Sequence, residues 1–172
     1  MPERQFATFP VDDQVYGIDV LLVREIIRHV EFTPVEHAPN GVLGLLNLRG
    51  QIITVLDLGA VLDVPPRQVS PESHCIILKT KEELLRSAVR DAVDDETPAE
   101  IVGIMVDRIA DVVAIDASCI EPPPANARGV DGAMLEGIAK KDDRLLLILK
   151  MREALAKWRA SETTAYGALI ER

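Results

Sequence analysis

Short apolar runs rich in Val, Ile and Leu recur along the whole chain, and most are closed off by Gly, Pro, Asn or Asp. Runs of this length with turn residues at their ends read as strands. Gln5 to Phe9 and Gln14 to Ile18 form one such pair, with Asp12-Asp13 as the turn between them. His74 to Leu78, Ile101 to Val106 and Val112 to Ile115 predict three more strands. Leu135 to Ala139 and Arg144 to Leu149 predict a hairpin around Lys141-Asp142-Asp143. No internal repeat stands out. About ten short strands with a few helical turns is the pattern of small barrels or a sandwich.

The clearest hairpin runs from Gly44 to Leu58, with Leu48-Arg49-Gly50 between two apolar runs. Gly50 can take a positive φ, so a type I turn closed by a glycine bulge is expected there. Arg49 then sits at the tip of two rigid strands, where its fork of donors can face a partner or a nearby carboxylate.

Helical spacing is rarer. Val20, Val23, Ile26 and Ile27 recur as one face of a short helix that Asp19 would cap, with Arg24, Glu25 and Arg28 on the other face. Leu58 to Leu62 predicts a helical turn, and Met151 to Trp158 a helix. From Lys79 to Glu100 the β rhythm breaks. Leu84, Leu85, Ala88, Val89 and Ala92 share a helical face, and Asp94-Asp95-Glu96-Thr97-Pro98 ends it, so an acidic helical insertion is expected at 79–100. Prolines from Val64-Pro65-Pro66 to Ser70-Pro71 mark an expected crossing between two lobes near 64–72. The remainder after Trp158, residues 159–172, is weakly patterned and expected to be a mobile tail.

Composition narrows the function classes. The chain has 172 residues and is 48% hydrophobic, enough for one domain with a real core or two small lobes sharing one. Aromatics are only 3% and the formal charge is -9, which argues against nucleic acid and against an anionic lipid surface. Met1-Pro2-Glu3-Arg4 lacks the basic-then-apolar layout of a signal peptide, so a cytoplasmic, reducing location is the expectation. Cys75 and Cys119 each lie in an apolar segment and are expected to be small core residues.

Candidate chemistry is sparse. The sequence has no Gly-rich phosphate loop, nucleophile elbow or Asp-rich calcium loop, and His29, His37 and His74 stand at no metal-ligand spacing. Asp12-Asp13, Asp94-Asp95-Glu96 and Asp142-Asp143 all fall at turns, where solvation accounts for them. No catalytic, cofactor or metal set is expected.

Taken in order, Tyr16-Gly17-Ile18-Asp19, Val23-Arg24-Glu25-Ile26-Ile27, Thr33-Pro34, Gly44-Leu45-Leu46-Asn47-Leu48-Arg49-Gly50 and Asp57-Leu58 resemble the CheW-like adaptor domain of bacterial chemotaxis systems. Val102 to Asp107, Leu135-Glu136-Gly137-Ile138 and Asp143 to Leu149 extend that resemblance to about Trp158.

The resemblance implies an all-β fold of two small five-stranded, SH3-like barrel lobes sharing an apolar core, within a domain spanning residues 1–158. It implies a non-catalytic adaptor that bridges a chemoreceptor's cytoplasmic tip to a chemotaxis histidine kinase. A related adaptor for another output, such as surface motility, is the alternative. The family's partner-contact positions correspond to Val23, Glu25, Gly44, Asn47 and Arg49, and in the second half to Ile76 and Val112. A groove between the lobes is the favoured receptor site, and Glu25 is expected to approach Arg49 and hold it. Gly59 stands where the family commonly has an arginine, Thr54 where it commonly has a proline, and the 79–100 segment is longer than usual.

Overall fold

The computed structural model describes residues 2–28, 31–86, 101–127 and 130–170. Its strands are β1 (Glu3–Val11), β2 (Gln14–Asp19), β3 (Val23–Arg28), β4 (Val42–Leu48), β5 (Gln51–Asp57), β6 (His74–Leu78), β7 (Val102–Val106), β8 (Val112–Asp116), β9 (Asn126–Ala127), β10 (Val130–Asp131), β11 (Leu135–Lys141) and β12 (Arg144–Leu149). Three helices join them: α1 (Leu58–Leu62), α2 (Lys81–Arg86) and α3 (Met151–Ile170). Apart from the β9–β10 pair, the strands form two five-stranded sheets, ordered β11-β12-β2-β1-β8 and β3-β6-β7-β5-β4.

The two sheets are built to one plan. Read as β8-β1-β2-β12-β11 and β3-β6-β7-β5-β4, both pair antiparallel, antiparallel, parallel, antiparallel. Each closing hairpin feeds a helix, α1 after β5 and α3 after β12. Each also carries a bulge followed by a glycine, at Gly44 and Gly137, whose next residue bridges an extended segment at Thr33 or Glu121. A Cβ at either glycine would run into that segment's backbone. This repeat escapes sequence comparison because it lies in pairing and bulge position.

The connections correct the expected division of the chain. Residues 64–72 join α1 to β6 within one sheet, so the chain does not cross between lobes there. It leaves the first lobe after β2, through a 3-10 turn at Val20–Leu22 capped by Asp19, and returns between β7 and β8. The expected helix over 19–27 is therefore this single turn followed by β3. The bulge in β3 and its β-branched side chains explain the apparent helical spacing.

Strand alternation sorts the apolar side chains into three layers. Phe6, Ile115, Ala139, Leu146 and Ile148 fill the first lobe, while Leu46, Ile53, Val55, Cys75, Ile77 and Met105 fill the second. Between the sheets lies the shared core, with Phe9, Ile18, Leu56, Leu62, Ile76, Ile104, Leu147 and Leu149 at its centre. β7 is buried at every position because Ile104 faces the shared layer while its neighbour Met105 faces the lobe interior.

Two arginines tie the parts together. Arg4 bonds Asp19 and Glu136, joining the ends of β1, β2 and β11. Arg67 holds the 64–72 segment down by bonding Asp12 and Asp107, while its backbone N–H donates to Asp57. Burial pushes the Asp57 carboxyl above its ordinary range, against the N–H groups of Arg67 and Ala60 that favour its charged form.

The C-terminal chain also departs from expectation: α3 continues past Trp158 to Ile170. Met151, Ala154 and Leu155 seal the shared core, and the Trp158 indole N–H donates to the Asn40 carbonyl at 3.0 Å. Cys75 is buried as expected, whereas Cys119 is exposed because its 3-10 turn stands off the core. His37 is exposed and His74 half-buried; His29 lies outside the described residues.

Candidate functional site

The β4–β5 hairpin closes tightly. Leu48 pairs with Gln51, and both intervening residues have positive φ, 51° at Arg49 and 82° at Gly50. That is a two-residue primed turn, which suits the right-handed twist of the strands better than the expected type I turn and bulge. Asn47 Oδ1 accepts the Gly50 N–H at 3.1 Å and so locks the turn.

Curling of the second sheet brings this tip against β3. Arg49 Nη1 and Nη2 donate to Glu25 Oε1 and Oε2 at 3.2 and 3.1 Å, a two-point pair. The Arg49 side chain is 74% exposed and that of Glu25 26%, so the carboxylate is the anchored half and the guanidinium the presented half. The approach of the two residues agrees with the sequence expectation, although Glu25 sits on a strand.

A bulge in β3 makes the arrangement richer. Val23 pairs with Leu78 and Glu25 with Ile77, which leaves Arg24 as the extra residue. Bulges re-aim side chains, and here the consecutive residues Arg24 and Glu25 both line one cleft of about 520 Å³. Arg24 Nε donates to Glu83 Oε2 at 3.1 Å, its Nη2 donates to Glu83 Oε1, and its Nη1 donates to Gln51 Oε1 at 3.2 Å. Glu83 in turn accepts from the backbone and hydroxyl of Thr80, while the Thr80 hydroxyl accepts the Glu83 N–H. This is a capping box that starts α2. Burial works to raise the Glu83 carboxyl, but Arg24 and Thr80 outweigh it and hold it below the usual carboxylate range. Leu48, Arg49, Glu82, Arg86 and Ile101 complete the cleft wall.

The other candidates separate by burial. Val23 is half-buried against the shared core. Gly44 is buried, and its backbone lies so close to Phe32 and Thr33 that its role is steric; a Cβ there would sit 2.8 Å from Phe32 Cδ2. Ile76 is 0% exposed in the shared core, which corrects its assignment as a contact residue. The strict alternation of β6 buries it on one side while Cys75 and Ile77 are buried on the other. Val112 is exposed on the edge strand β8 of the other sheet, outside the cleft. The structure thus groups Glu25, Asn47 and Arg49 at one barrel end and places Val112 elsewhere.

The sequence does not single out Arg24 as a site residue, because a bulge has no signature in residue type, nor Gln51 and Glu83, which join the site only through their bonds to Arg24. Sequence reasoning also passed over Ile52, which is exposed beside Asn47, its cross-strand partner. That pairing was readable from the hairpin register.

A CheW-like domain model matches residues 5–158. The chain belongs to the CheW-like domain family. Among similar relatives, chemotaxis protein CheW of Bacillus subtilis is 30% identical over 149 residues, 87% of this chain and 85% of the relative. Chemotaxis protein CheW of Helicobacter pylori is 26% identical over 153 residues, covering 89% and 82%. The crystal structure of scaffolding protein TtCheW from Thermoanaerobacter tengcongensis superposes with a TM-score of 0.71 at 30% identity, covering 90% of this chain and 88% of that one.

Two departures from the CheW-like pattern have local causes. Gly59 lies under the 64–67 segment, where a Cβ would collide with the Pro65 carbonyl and stand 2.8 Å from Asp57 Oδ2. The Thr54 N–H donates to the Ile101 carbonyl at 3.2 Å, a bond that a proline could not make. Of the expected 79–100 insertion, 81–86 is helical as α2, and 87–100 lies outside the described residues. Among the described residues no group of three or more His, Cys, Asp or Glu could hold a metal ion, and no helix is long and apolar enough to cross a membrane.

Proposed function

We propose that this chain is a non-catalytic coupling scaffold that joins the cytoplasmic tip of a methyl-accepting chemoreceptor to a CheA-type histidine kinase, which recruits it to membrane receptor arrays from the cytoplasm. The match of the CheW-like domain to residues 5–158 carries this reading. The presented Arg49 supports it physically. A guanidinium held open at a rigid hairpin tip, with Glu25 fixing its plane and Ile52 exposed beside it, offers a partner both a directional donor pair and apolar area. Glu25, Asn47 and Arg49 form the partner-binding centre in this proposal, with Val23 and Gly44 shaping its support and Val112 belonging to a separate contact on the first lobe.

Coupling is tested with three components. The kinase's own CheW-like regulatory domain is immobilised and offered a receptor cytoplasmic fragment with and without this chain. Retention of the receptor fragment only when the chain is added supports the proposal; equal retention in both cases rejects it.

A further inference from the structure

Beside the Arg49–Glu25 pair stands α2, a helix fastened to the site by Arg24 and Glu83. The cleft between them has one wall from β3 and the hairpin tip and the other from Thr80, Glu82, Glu83 and Arg86. Its charges differ sharply in access. Glu25 and Glu83 are mostly covered and bonded to arginines, and Arg24 is spent on Glu83 and Gln51. Arg49 at 74%, Arg86 at 78% and Glu82 at 71% side-chain exposure are the charged groups that face outward. Glu82 pairs with Arg86 one helical turn away on α2. Two of the three open charges are therefore guanidiniums on opposite walls, and each keeps donors beyond those its own carboxylate accepts.

We propose that α2 is a selectivity wall of the docking site, and that the cleft takes an acidic segment of the kinase's CheW-like regulatory domain, bound jointly by Arg49 and Arg86. The inference rests on the coupling role proposed above and adds the chemistry of the occupant. Continuity with the Arg49–Glu25 centre and the charge of the open rim argue for it. Glu82 sharpens the choice, because it repels an acidic segment that docks out of register with the guanidiniums.

The regulatory domain is titrated with wild-type chain and with Arg49→Ala, Arg86→Glu, Arg86→Lys and Glu82→Gln variants, at low and high salt. The proposal expects Arg86→Glu to weaken binding at least fivefold, Arg86→Lys to retain most of it, and Glu82→Gln to tighten it. The loss caused by Arg86→Glu should shrink at high salt. Arg86 and Glu82 are exposed, so these variants leave folding intact, which circular dichroism checks. If Arg49→Ala weakens binding while Arg86→Glu stays within twofold of wild type, α2 is not a wall of the site and only the selectivity proposal falls. If Arg49→Ala also leaves binding unchanged, the docking centre itself is misplaced and the selectivity proposal falls with it, while the coupling role is decided separately by the three-component retention experiment. Tighter binding by Arg86→Glu overturns the acidic occupant.

Discussion

Arg49 and Glu25, 24 residues apart in sequence, meet through two parallel hydrogen bonds across the barrel end, with the arginine outside and the carboxylate partly covered. An exposed pair of this kind adds about 0.5 kcal/mol to stability. In the proposed coupling role its contribution is orientation, because the fork fixes the plane of the exposed guanidinium. Glu25→Gln should leave the thermal midpoint nearly unchanged in a melting experiment while weakening partner binding, and a large fall in the midpoint would make the pair structural instead.

Gly44 separates folding from docking. A methyl group there meets Thr33 and Phe32 at the point where Thr33 bridges Leu45. Gly44→Ala should cost about 1–3 kcal/mol, the range of a forced backbone or side-chain shift in a packed site. Denaturant titration reads that cost. An undiminished midpoint would return Gly44 to the list of direct contacts.

Ile76→Ala should behave as a core truncation. The side chain sits in the shared layer with Leu56, Leu62 and Ile104, so losing it should cost about 2–5 kcal/mol. Affinity per folded molecule should remain that of wild type. A partner-specific loss in a fully folded variant would contradict its burial.

Much of this architecture was legible in the residues. The apolar runs with turn residues at their ends located the three hairpins β1–β2, β4–β5 and β11–β12, together with β6 to β8 and α1, and the series from Tyr16 to Leu149 located the family. What escaped depends on geometry that residue types do not encode. The bulge at Arg24 breaks the two-residue alternation, so β3 resembles a helix face; Arg24 and Glu25 do share a side, as a helix would place them, but on a bulged strand. The prolines of 64–72 suggested a crossing, yet they keep this segment extended under the Arg67 clamp within one lobe. Ile76 was misplaced because the burial of β6 on both faces follows from the second lobe closing over it.

The α2 clamp should titrate with Glu83. Its folded pKa lies below the ordinary value of 4.5, so just below that value the unfolded chain binds more protons. Stability from the Arg24–Glu83 pair is then fully present above the unfolded pKa and lost as pH falls through the folded one. Comparing wild type with Glu83→Gln from pH 7 downward should show a constant gap above pH ~5 that closes in acid, by the linkage relation. A gap that grows in acid would reverse the sign and reject the clamp.

The two cysteines should differ in reactivity. Burial pushes the Cys75 thiol up to about 12, while Cys119 is exposed. A thiol reagent at neutral pH should modify one cysteine in the native protein and both in denaturant. Rapid native reaction of both would mean that the second lobe opens readily.

The coupling account stands most directly on one titration, that of wild type and Arg49→Ala against the regulatory CheW-like domain of a chemotaxis kinase. Wild type should bind saturably, and Arg49→Ala, equally folded, should bind about tenfold or more weakly, a loss of about 1.4 kcal/mol. Equal affinities for the two proteins, or no binding by wild type, would contradict the placement of the docking centre at this hairpin tip.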